Sequence, residues 1–232
     1  MIVSLTMVRY RKVFIPFALL AMAIHRLPIH LQKGCTFWQL LGSGKNGTFD
    51  LSPDWQQWGL LAAWADREDF DRFYQRSFVA RWWNVFGVEK WTILLQPLQS
   101  HGKWEGKEPF GNPITEEYNG PIAVLTRATI RLNRLKRFWA SADEVSGIMK
   151  NATGFIMSLG IGERPAYKQG TFSIWNSIDD VKAFAYRSKK HAEVIKKTRA
   201  ENWYSEELFA RFKPIASIGT LNHTNPFPIS WE

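Results

Sequence analysis

The sequence predicts an α+β fold: two ferredoxin-like repeats, each running strand, helix, strand, strand, helix, strand, closed within one chain around a helix-clad β-barrel core. Three observations predict it. Four segments of the first half recur in the same order and at similar spacing in the second. Apolar, β-branched runs of strand length alternate with stretches whose apolar residues keep helical spacing. Between the halves, "GKWEGKEPFGNPITEEYNG" at 102–120 is rich in Gly and Pro and has no periodicity, which marks a connection.

The first strand is "MIVSLTMVRYR" at 1–11, matched by "PIAVLTRATIR" at 121–131; both are β-rich and end in Arg. Next comes Val13 to Ile24, which with the preceding "RYRK" has the look of a secretory signal. The strand-like alternation before it, the lack of a small-residue cleavage pattern after it and the repeat itself assign it to the first helix. It holds Pro16, and no apolar run approaches the roughly 18 residues a bilayer span requires.

Then "FWQLLGSGK" at 37–45 answers "FIMSLGIGE" at 155–163, two apolar strands ending in Leu-Gly-x-Gly. "WADREDFDRFYQRS", Trp64 to Ser77, aligns without gaps on "WNSIDDVKAFAYRS", Trp175 to Ser188. Asp66 and Ser177 stand just ahead of the helical pattern, where a side-chain oxygen can accept the unpaired amides of a first turn. The last pair is "EKWTILLQPLQSHG" at 89–102 and "ELFARFKPIASIGT" at 207–220. The boundaries follow: a first repeat over 1–104, a linker over 105–120, a second repeat over 121–220 and a tail over 221–232.

With 45% hydrophobic residues and 12 Trp, the chain can bury a large core, which excludes a disordered tail or a coiled coil. One cysteine, Cys35, excludes an intrachain disulfide and a thiolate zinc site, and fits a reducing, cytoplasmic setting. Metal chemistry then rests on histidine, carboxylate or a bound cofactor. "GSGKNG" at 42–47 meets the Gly-x-Gly-x-x-Gly pattern, but the turn-like "TFDLSPDWQQW" follows where a dinucleotide site needs a helix. These glycines read as strand-end residues. No Walker sequence, nucleophile elbow or placed triad is present.

Of His25, His30, His101, His191 and His223, four fall at element ends or in the linker and tail, where a solvated or packed imidazole is the default. His191 differs: Val181, Phe184, Ser188, His191 and Ile195 recur at steps of 3, 4, 3 and 4, one face of a helix. In the first repeat that face reads Phe70, Phe73, Ser77, Ala80 and Asn84. A lone histidine on such a face is more often a hydrogen-bonded core residue; an imidazole on an apolar wall beside an aromatic ring is also what haem iron takes on its proximal side. Cys35, in the loop-like "KGCTF", reads as a small packed residue rather than a thiolate ligand.

Basic residues cluster at Arg127, Arg131, Arg134, Lys136 and Arg137, and again at Arg187, Lys189, Lys190, Lys196, Lys197 and Arg199, within a net charge of +9. No nucleic-acid signature accompanies them, so solvated helix faces are the plainer reading and no nucleic-acid partner is expected. The same charge suits propionate anchoring, an acidic electron carrier or an anionic membrane surface.

The run "HAEVIKKTRAENWYSEELFARFKPIASIGT", His191 to Thr220, together with "FWQLLGSGKNGTFDLSPD" and "WTILLQPLQSHGKWEG", resembles the spheroidene monooxygenase family over nearly the whole chain. The resemblance implies an intrachain dimeric-α/β-barrel-like fold and a haem-dependent, dioxygen-using enzyme that installs keto groups on acyclic carotenoids, with His191 as the axial iron ligand. The favoured reading adds an apolar polyene as substrate and a reduced, ferredoxin-like electron donor, and the positive charge adds the expectation of peripheral contact with the inner face of the membrane. Phe184, Ser188 and Ile195, on the face of His191, are then expected to flank the porphyrin. Arg199 and Arg211 are expected to meet its propionates or to fix the following segment. Trp203 and Tyr204 either serve this site or simply cover the barrel end. The alternative is a barrel of the same architecture that binds haem or an apolar molecule without oxygenating it.

Overall fold

The computed structural model describes residues 1–45, 52–111, 118–164, 166–187 and 189–229; the side chains at 142–146, 186–187, 189–192 and 195 lie outside the described set. The first half runs β1 (Ile2–Tyr10), a 3-10 turn, α1 (Ile15–Ile24), α2 (Arg26–His30), β2 (Cys35–Gly44), β3 (Pro53–Trp64), α3 (Arg67–Arg76), α4 (Phe78–Phe86) and β4 (Gly87–Gly102). The second runs β5 (Ile122–Ile130), a 3-10 turn, α5 (Leu135–Lys150), β6 (Phe155–Arg164), β7 (Lys168–Trp175), α6 (Ile178–Lys182), a π-helical turn (Ala183–Arg187), α7 (Lys189–Ala200) and β8 (Tyr204–Gly219). The strands hydrogen-bond in the closed order β1-β3-β2-β6-β7-β5-β8-β4. Within each half this gives the order second, third, first, fourth, which is the ferredoxin-like arrangement. No helix among the described residues is long and apolar enough to cross a membrane.

The chain divides into two compact units, Met1–Ser43 with Asp54–Pro97 and Pro214–Glu232, and Gly44–Pro53 with Leu98–Lys213. In the first, β1 pairs antiparallel with β3 and β4. Strand alternation turns Val8 and Tyr10 of β1, with Leu60, Ala62 and Trp64 of β3, toward Ala18, Ile29, Phe70, Phe73, Val79 and Trp83 of the helices. Trp64 has no exposed surface, and its indole N–H is satisfied by Ser4 Oγ at 2.9 Å. In the second unit, Ile122, Val124 and Trp175 pack on Met149, Val181 and the half-buried Phe184, while Ile130, Phe138, Trp139 and Trp203 form a separate cluster joined by Val194 and Tyr204. Trp203 is therefore a core residue at the entry to β8.

The expected caps are formed. Asp66 accepts the Asp69 amide at 2.9 Å and Ser177 the Asp180 amide at 3.1 Å. Each capped helix start also rests on a left-handed glycine: Gly34 and Gly154, both at φ +73°, leave no room for a Cβ, which would meet the side chains of Asp69 and Asp180.

One expectation about the helices is corrected. The first-repeat face Phe70, Phe73, Ser77, Ala80 and Asn84 does not belong to one helix. Ser77 is extended (φ −68°, ψ 157°), closing α3 and capping α4 by accepting the Ala80 amide, and Asn84 turns outward. A serine offers its hydroxyl to a backbone amide as readily as it continues a helix, and here the cap wins. In the second repeat a π-helical turn over Ala183–Arg187 interrupts the run between Val181 and α7; Ser188 and the side chains of His191 and Ile195, on which the shared face depends, lie outside the described residues.

The repeat also runs further than the four matched segments. Trp104–Lys107 and Leu221–Thr224 close the same bridged turn, with positive φ at Glu105 and Gly106 in one and at Asn222 and His223 in the other. Glu206 carboxylate oxygens accept the Glu105 and Gly106 amides, and Glu89 accepts that of His223. The β-ladders pair Arg9 with Glu89 and Thr129 with Glu206, so Glu89 corresponds to Glu206, one residue from the alignment read in the sequence.

Candidate functional site

Trp175 ends β7, Ser177 caps the next helix, and α6 lasts only five residues before the π-helical turn Ala183–Arg187. A π turn widens the helix and leaves its carbonyls short of regular partners, which is why such turns concentrate at functional sites. Phe184, inside that turn, lies over the Trp175 ring at 5.2 Å between centroids. Beside it is an opening of about 460 Å³ lined by Ile148, Asn151, Ala152, Thr153, Asp180, Ala183 and Phe184. Ile148, Ala152, Ala183 and Phe184 make its apolar part and Asn151, Thr153 and Asp180 its polar part, the Asp180 carboxylate being already engaged by the Ser177 hydroxyl at 2.6 Å.

Of the expected site residues whose side chains are described, Phe184 lines this opening and Arg199 and Arg211 do not. His191 belongs to α7, and its side chain, like that of Ile195, lies outside the described residues, as does Ser188 altogether. Arg199 is exposed in the last turn of α7, where a cation complements the helix C-terminus. Arg211 lies on β8 and donates from Nη1 to Gln99 Oε1 at 2.9 Å, with its guanidinium over Phe209. Neither arginine lines the opening. Among the described residues no group of three or more His, Cys, Asp or Glu is placed to hold a metal ion.

Two clusters went unread in the sequence. His25 is 1% exposed, edge-on to Phe78, Trp82 and Trp83, and its Nε2 has no hydrogen-bond partner among the described residues. Burial pushes its pKa down to about 4, so the ring is neutral. It borders a void of about 10 Å³ with Tyr10, Met22 and Trp58, which is room for one water at most. The signal was available: Ala18, Ala21, His25 and Ile29 step by 3, 4 and 4, a buried helix stripe with His25 in it. Cys35 is half-buried, its thiol pushed up to about 12 by that burial, as suits a packed residue.

The second cluster corrects the reading of Arg127 as part of a solvated basic face. Its side chain is 1% exposed on the sheet face turned away from the helices, and it grips Glu163 with Nε at 2.9 Å and Nη2 at 3.0 Å. Nη1 donates to Glu206, Lys168 reaches Glu105 at 2.8 Å, and the Trp104 indole lies over the guanidinium. Strand alternation decides this. Arg127 falls out of phase with Ile122 and Val124, and its charge is kept only by two carboxylates from neighbouring strands.

Comparison with known proteins agrees with this architecture. A family described as "Domain of unknown function (DUF3291)" matches residues 121–211, the bulk of the second repeat. A spheroidene monooxygenase of Cereibacter sphaeroides is 37% identical over 206 residues, 88% of this chain; the chain spans 64% of that relative's length. A spheroidene monooxygenase of Rhodobacter capsulatus is 30% identical over 217 residues, covering 91% of this chain and 89% of the relative. Among solved structures, a crystal structure of aldoxime dehydratase superimposes with a TM-score of 0.60 over 92% of this chain and 81% of that one, at 12% identity, a likeness of fold alone.

Proposed function

Because the chain belongs to the spheroidene monooxygenase family, we propose that it is a haem-dependent oxidoreductase that uses dioxygen to introduce keto groups into acyclic carotenoids. In this reading a reduced, ferredoxin-like protein delivers the electrons, its acidic surface complementing the +9 charge of the chain. The observation that carries the reading is the opening beside Phe184. At about 460 Å³ it falls within the range of small-molecule sites, and it adjoins the π-helical turn that leads into the helix of His191.

The residues there fit a haem. Apolar side chains and an aromatic ring suit a porphyrin face, and a single imidazole on the adjoining helix suits its iron. When bound, the haem supplies dioxygen activation, which no side chain of this chain can. The chain's own part is to hold and shield. His191 would hold the iron, Phe184, backed by Trp175, would pack against the bound group and exclude water from it, and Ser188 and Ile195 would flank it. Arg199 and Arg211 do not line the opening and would meet the propionates only from beyond its lining, Arg211 by giving up its bond to Gln99.

The test is a haem titration of the full chain read by visible absorption, beside an assay of carotenoid ketone formation. His191→Ala is expected to lose the Soret signature of the bound haem and all ketone formation while keeping the far-UV circular dichroism of the parent. An unchanged Soret band in that variant moves the ligand elsewhere. No Soret band in the unsubstituted chain leaves only the binder of apolar molecules.

A further inference from the structure

We propose that the outer face of the first repeat's helical layer, formed by α1, α2 and α4, docks on an anionic lipid bilayer. The composition of these segments is one-sided. Residues 1–49 contain no Asp or Glu, nor do residues 72–88, so the stretches that form α1, α2 and α4 are free of carboxylates; those of the layer fall in the first half of α3, at Glu68, Asp69 and Asp71. Their cations Arg11, Lys12, Arg26, Lys33 and Arg81 are exposed.

Between these cations the surface is apolar. Phe17, Leu20, Leu27, Leu31, Phe78 and Val85 are all exposed, Leu27 by 64% and Leu31 by 71%. They form a connected surface. Phe17 of α1 stacks on Phe86 at 4.6 Å and touches Trp82, Trp82 touches Phe78, and α2 packs against α4. A helix apolar on all sides is ordinarily buried or membrane-spanning; α1 has ten residues, too few to span, and shows one side to solvent. An interfacial helix resolves the conflict by sinking the aromatic and aliphatic face among acyl chains while flanking cations meet the headgroups.

The second repeat supplies the internal control. The alignment that sets Arg11 beside Arg131 puts Lys136, Arg137 and Ala140 of α5 where Pro16, Phe17 and Leu20 stand in α1. Arg137 pairs with Glu201 at 2.7 Å, and beyond residue 88 Leu132 is the one exposed large apolar side chain among the described residues. The fold itself therefore does not demand an apolar outer face. A second copy of the chain fits poorly, because a two-fold contact would set this carboxylate-free, cationic patch against itself.

The inference does not rest on the carotenoid reading and is tested apart from it, by flotation of the full chain with vesicles. With phosphatidylcholine containing about one-third phosphatidylglycerol at low salt, the chain is expected to bind at least about tenfold more tightly than to phosphatidylcholine alone, since each cation near an anionic surface is worth about fivefold. The advantage should shrink as salt rises. The double variant Leu27→Glu, Leu31→Glu, whose positions are exposed and whose folding is checked by circular dichroism, is expected to lose binding. Leu132→Glu is expected to keep it. Equal binding to neutral and anionic vesicles, or retained binding by the double variant, overturns the proposal. So does a dimer in sedimentation velocity that Leu27→Glu dissolves, since the occupant is then a second copy.

Discussion

His25 and Arg127 are both buried ionisable residues, and the chain handles them in opposite ways. His25 is buried with no partner for Nε2 among the described residues and stays neutral; its pKa falls from 6.5 to about 4 because burial penalises the charged ring. The unfolded chain binds that proton below pH 6.5 while the folded chain refuses it until about pH 4. Stability is therefore full above pH 6.5 and falls as the pH drops toward 4, by about 3 kcal/mol from this residue alone. Urea unfolding of the parent and of His25→Leu should show this: the stability of the parent relative to the variant declines across that window. A flat difference would mean the ring is not buried as described. Arg127 instead stays charged between Glu163 and Glu206. Arg127→Met removes the cation shared by the two carboxylates, leaving Glu163 only the more distant Lys168 at 3.6 Å, and is expected to cost about 3 kcal/mol at pH 7. Thermal melts of parent and variant at that pH read the loss.

At the scale of single elements, each repeat starts its second helical segment with one device: a capping oxygen at Asp66 or Ser177 and a left-handed glycine packed against the capped turn. Gly34→Ala and Gly154→Ala combine a positive φ with a collision against a carboxylate side chain, and each is expected to destabilise by about 1–3 kcal/mol. Gly147 differs. It sits in α5, and a methyl group added there would meet nothing within 4 Å, so Gly147→Ala is expected to stabilise by about 0.5–1 kcal/mol. Calorimetric melting of the three variants separates the cases by sign. The capping positions were legible because a cap is local: it needs one oxygen and the next three amides. The helix breaks were less so. The extended Ser77 and the π-helical turn satisfy the same apolar spacing as a continuous helix, and which one forms depends on how the flanking residues seat on the sheet.

For the molecule as a whole, duplication gives two copies of one topology with different surfaces. The first carries an exposed apolar and cationic helical face; the second carries Phe184, the opening beside it and the helix of His191. In both, the first strand meets the last of its own repeat, Val3 with Leu95 and Ala123 with Phe212. Pairings so distant in sequence close long loops before they gain contacts, so refolding is expected in milliseconds to seconds. Stopped-flow tryptophan fluorescence checks this, and a microsecond phase carrying the full amplitude would contradict it.

Taken alone, the sequence determined what depends on neighbours and period: the repeat, the strand and helix order, the caps at Asp66 and Ser177 and the assignment of Val13 to Ile24 to a helix. Family kinship came from the long run opened by His191. Tertiary structure decided what depends on which face a residue shows to a distant one. It buried His25 against Trp82 and enclosed Arg127 between strands far apart in the chain. It matched the turn at Trp104–Lys107 with that at Leu221–Thr224, and it left Leu27 and Leu31 in the open. Burial is a property of the packed assembly of elements; spacing within one of them, as in the stripe of Ala18, Ala21, His25 and Ile29, shows which residues share a face but not what covers that face.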